Sequence, residues 1–65
     1  MKYEYMVVYS HDRGNGRIKI NRDKEVESYS DVEDMDKVIR DFNGMESVFV
    51  TDFKLLRIFQ ESVNL

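Results

Sequence analysis

The chain contains no cysteine, no proline and no tryptophan, only three glycines, and a single histidine. Without cysteine there is neither a disulfide framework nor a thiolate metal site, and one histidine lacks the companions that zinc requires. Neither of these usual staples of very small proteins is present, so 65 residues must be held by their core. At this length folding buries only about 60% of the surface that the unfolded chain exposes, and self-association is one way to bury more. No apolar run approaches the roughly 20 residues that cross a bilayer, and no secretory leader is recognisable, so a cytoplasmic protein is expected. An excess of base is also missing. Thirteen acidic side chains against ten basic ones give a net charge of -3, which disfavours non-specific nucleic-acid binding driven by phosphate neutralisation.

What is present is hydrophobic content of 42%, including four tyrosines and four phenylalanines, which is too rich for a disordered chain. The longest helical signal is Ser30 to Gly44. Val32, Met35, Val38, Ile39 and Phe42 recur at helical spacing, which predicts one apolar stripe facing a core. Ser30 and Glu33 have capping-box spacing, and Asn43-Gly44 suits a left-handed helix end.

Residues Lys2 to Ser10 alternate Tyr3, Tyr5, Val7 and Tyr9 with Lys2, Glu4, Met6, Val8 and Ser10, which predicts a strand. Met6 and Val8 are expected to meet the helix, leaving a tyrosine ladder on the open sheet face, because each tyrosine carries a hydroxyl that water can serve. His11 to Gly16 reads as a turn, and Arg17 to Asn21 as a second, antiparallel strand with Arg17 and Lys19 beside the tyrosines. Residues 22–29 form a charged connection from which Val26 and Tyr29 are expected to dip onto the core. Glu46 to Thr51 is strongly β-prone, and its expected pairing is parallel to the first strand through a right-handed crossover. For residues 52–65 a short helix is favoured, with Leu55, Leu56, Phe59 and Val63 on one face. A strand through Phe53, Leu55, Arg57 and Phe59 alternates less cleanly.

The opening YMVVYSHDRGNGRI, the helical DVEDMDKVI and the closing VFVTDFKLLR together resemble small uncharacterised proteins from early or accessory gene regions of phages and prophages of Gram-positive bacteria. The resemblance implies a protein that binds a host protein in the host cytoplasm, as an inhibitor or anti-defence modulator, and it carries over no catalytic residue.

Three clusters are candidate sites. His11, Asp12, Arg13 and Asn15 sit together on a loop, where turn chemistry accounts for them. Asp31, Glu33, Asp34, Asp36 and Asp41 give the helix an acidic face that suits a basic partner, although Lys37 and Arg40 interrupt it. Tyr3, Tyr5 and Tyr9 with Arg17 and Lys19 form a candidate sheet-face surface, which suits protein association or, alternatively, single-stranded nucleic acid. The expected molecule is a single α+β domain over residues 1–65, ordered ββαβ with a short C-terminal helix. It is read as a non-catalytic binding protein without cofactor or metal, with a homodimer as a further option. Its binding residues are Tyr3, Tyr5, Tyr9, Arg17, Lys19, Asp34, Asp36 and Asp41.

Overall fold

A computed structural model describes residues 1–61. The elements are β1 (Lys2–His11), β2 (Gly14–Arg22), α1 (Tyr29–Asn43) and β3 (Val48–Phe59). They form the expected α+β domain, a three-stranded sheet in the order β2-β1-β3 with one helix. Asp12 and Arg13 form the hairpin tip, and Gly14, at φ 134°, opens β2 in a conformation that L side chains seldom adopt.

Both neighbours of β1 run antiparallel to it, so β3 is parallel to β2 rather than to β1. The expected parallel pairing of β3 with β1 is therefore corrected: the helix returns the chain to the far edge of the sheet, and the first strand lies between the two it joins.

The tyrosines face the helix. Tyr5, Val7 and Tyr9 are buried with Ile20, Met35, Ile39 and Val48, while Met6 and Val8 lie on the other face, which reverses the expected orientation. The physical reason is that an aromatic ring removes far more apolar surface from water than Met or Val does, provided its hydroxyl finds a partner. Tyr5 meets that condition by accepting a hydrogen bond from the Val26 amide at 2.8 Å. Val26 packs on the core as expected, whereas Tyr29 is exposed.

The N-cap lies two residues earlier than the expected Ser30. Ser28 takes this place in an extended conformation, and Asp31, not Glu33, reaches back to the cap amide at 3.2 Å. The chain leaves the helix at Gly44, left-handed at φ 66°, with the Met45 amide donating to the Arg40 carbonyl. Met35 and Ile39 form the buried centre of the stripe, but Val38 and Phe42 do not join it.

The C-terminal segment corrects a further expectation. Residues 52–59 continue β3 as a strand, and Val63 of the expected helix lies outside the described residues. Two register shifts explain the poor alternation. Val8 and Tyr9 face Asp52 and Val50, leaving Thr51 as an extra residue, and Glu4 and Tyr5 face Arg57 and Leu55, leaving Leu56 as another. Each bulge reverses the inside-outside parity of the residues beyond it. With both counted, Val48, Val50, Phe53, Leu55 and Ile58 share the tyrosine face.

Candidate binding surface

The acidic residues of the helix divide into two groups. Asp31 is buried and gathers the end of β2, the connection and the helix start around one carboxylate. Its Oδ1 accepts from Arg22 Nη2 at 2.9 Å and lies 3.1 Å from Lys24 Nζ, and its Oδ2 accepts from the amides of Glu27 and Ser28. The Glu27 amide and the Lys24 ammonium hold its pKa well below the usual aspartate range. Asp36, expected on the binding face, is also buried, and its Oδ1 accepts from the Val50 amide at 2.7 Å. It faces inward because this bond ties the helix to β3 beside the Thr51 bulge. Neither carboxylate is available to a partner.

Asp34 and Asp41 remain on the exposed side of the helix, as expected. Beside them stand Val38, 49% exposed, and Phe42, 77% exposed. Asp34, Val38 and Phe42 follow at four-residue steps, so they form one row along the helix with Asp41 next to it. The apolar spacing alone assigns Val38 and Phe42 to the core. The structure instead ends the core at Ile39, and what distinguishes Phe42 in the sequence is only its place in the last turn before Gly44. Val38 also borders a shallow groove of about 380 Å³ between the helix and the end of β2, lined by Ile20, Arg22 and Lys24 among others.

The sheet-face constellation is split by the strand registers. Tyr5 and Tyr9 are core residues and Tyr3 is partly buried against them, so none forms an open ladder. Arg17 and Lys19 lie opposite Val8 and Met6 and therefore face away from the tyrosines, correcting their expected juxtaposition. On that outer face they are joined by Lys54 and Arg57 of β3, which the helical reading of residues 52–65 concealed. Glu4 holds this face together across all three strands, 3.0 Å from Arg57 and 3.8 Å from Lys19. The Arg57 guanidinium also lies over the Phe59 ring at 4.4 Å.

The loop cluster is local turn structure with a shallow depression behind it. The Arg13 amide donates to His11 Nδ1 at 3.2 Å, and a hollow of about 360 Å³ separates His11, Asp12 and Arg13 from residues 43–47. Among the described residues no three His, Asp or Glu side chains converge as metal ligands, and no helix is long and apolar enough to cross a membrane. No family model matches the chain, and no curated protein or solved structure matches it significantly.

Proposed function

We propose that this protein is a non-catalytic binding module of phage or prophage origin that docks a host protein in the host cytoplasm through the outward face of α1. The observation that carries this reading is the row of Val38 and Phe42, two large apolar side chains left in water and framed by Asp34 and Asp41. An exposed aromatic on a helix is the kind of anchor that fills a hydrophobic groove, and flanking carboxylates steer it toward a groove with a basic rim. The likeness of three segments of the chain to phage accessory products supplies the setting.

The test is to capture the partner from host lysate, purify it and titrate it by calorimetry. Phe42→Ala is expected to weaken binding at least tenfold with little change in melting temperature, and Asp34→Lys to slow association in a salt-dependent way. Full affinity in Phe42→Ala would overturn the assignment.

A second reading is favoured by one observation, the convergence of Arg17, Lys19, Lys54 and Arg57 on the outer sheet face. Such a face suits single-stranded nucleic acid, with Phe59 as a stacking surface. Anisotropy with a labelled single strand separates the two. Binding at low salt that falls steeply with added salt and is lost in Lys19→Glu and Arg57→Glu would replace the first reading.

A further inference from the structure

β3 is an edge strand of twelve residues, and it carries an unusual load for an edge. Phe49, Phe53, Leu56 and Ile58 are between 39% and 63% exposed along it. Edge strands that remain unpaired in water are normally short, strongly charged or interrupted by proline, because open backbone donors and acceptors invite another strand. Here the interruptions are the bulges at Thr51 and Leu56 and the Asp36 carboxylate that takes the Val50 amide, and between the bulges Asp52–Leu55 runs regularly.

We infer that β3 pairs antiparallel with β3 of a second copy, with Phe53 on the two-fold axis, joining two three-stranded sheets into one of six. The sequence of the strand is complementary to its own reverse in this register. Asp52 falls opposite Lys54 of the second copy, and Lys54 opposite its Asp52. Val50 meets Leu56, Val48 meets Ile58, and Phe49 meets Arg57, so no like charges face each other. Moving the axis one residue along, between Phe53 and Lys54, places Asp52 opposite Leu55 and loses both ion pairs.

The isolated chain already shows how the edge is guarded. The Phe53 amide donates to the carboxylate of its own neighbour, Asp52 Oδ1, at 2.8 Å. On pairing, Asp52 exchanges that amide for the ammonium of the facing Lys54, and the Phe53 amide turns to a carbonyl of the second copy. One side chain thus shields the edge in the monomer and fixes the register in the dimer. The interface needs none of Asp34, Val38, Asp41 or Phe42, so it stands or falls separately from the helix reading.

The experiment is sedimentation equilibrium on the wild type, Lys54→Asp, Asp52→Lys and the double variant. The wild type is expected to dimerise, and each single change, which sets like charges opposite one another twice, to raise the dissociation constant at least tenfold. The double variant should recover the dimer. An equimolar mixture of the two single variants should form a heterodimer, because acidic pairs then face basic pairs.

A covalent readout does not depend on those electrostatics. The chain has no native cysteine, and directly opposed residues in an antiparallel pair have Cα atoms about 4.5–5.5 Å apart, within disulfide reach. Asp52→Cys/Lys54→Cys treated with diamide should therefore cross-link into dimers. A wild type that stays monomeric at millimolar concentration would overturn the inference. So would a dimer indifferent to both single changes, or one that the cysteine pair fails to cross-link.

Discussion

Tyr9 and Gly16 occupy one volume. They are paired across β1 and β2, and the Tyr9 ring lies so close over Gly16 that a Cβ at this position would overlap the ring. The glycine is needed for space and not for backbone freedom, since its φ is not positive. Gly16→Ala is expected to destabilise the fold by about 1–3 kcal/mol, the usual cost of overpacking, read as a lower urea midpoint with an unchanged slope. A second tyrosine, Tyr5, explains why the buried side of the strand is not readable from sequence. Alternation shows that Tyr3, Tyr5, Val7 and Tyr9 share a side, but not which side is dry, and a hydroxyl argues for water only until a partner such as the Val26 amide is known. That amide lies 21 residues away in the chain, beyond the reach of any local pattern.

At the scale of the element, what was legible is what the chain writes locally. The hairpin was readable from Gly14, Asn15 and Gly16, and the helix from its spacing and from Gly44. The helix start slipped by one capping box because Ser28-Asp31 and Ser30-Glu33 have the same spacing, and only the convergence of Arg22 and Lys24 on Asp31 favours the earlier pair. The last strand was illegible for a different reason. Bulges at Thr51 and Leu56 break the period on which strand recognition depends, and they are set by pairing with β1, almost the whole chain away. The candidate site was readable to the extent that Asp34 and Asp41 sit on the exposed side of a helix, and it failed at Asp36, whose partner is again a distant amide. The helix end provides a clean test. Nothing crowds a Cβ at Gly44, so its left-handed backbone alone decides the effect. Gly44→Ala should cost roughly 1–2 kcal/mol and Gly44→Asn less, measured by thermal melts.

For the molecule as a whole, charge is only partly sorted by layer. Arg17, Lys19, Lys54 and Arg57 emerge on the outer sheet face around Glu4 and Asp52, while Asp34 and Asp41 emerge on the helix beside Lys37, so the net charge of -3 is spread over two mixed surfaces. The carboxylate that bridges sheet and helix start is Asp31, and it makes part of the fold's stability sensitive to acid. Its pKa is depressed in the folded state, so the stability it contributes is fully present above the unfolded value of about 3.9 and is lost as pH falls below it toward the folded value. Asp31→Asn should lower the melting temperature at pH 7 and flatten the decline of stability below about pH 4. A decline of unchanged steepness in this variant would place the acid response elsewhere.

The order of the strands has a final consequence, for how the protein is made. β1 lies at the centre of the sheet yet precedes both of its neighbours in the chain, and its second ladder must wait for β3, after the helix. A nascent chain that has released the hairpin and the helix from the ribosome still holds Tyr5, Val7 and Tyr9 beneath an incomplete roof. Folding of this domain therefore completes only once β3 has been made, and a product stopped short of β3 would be a substrate for proteases rather than a shorter version of the same protein.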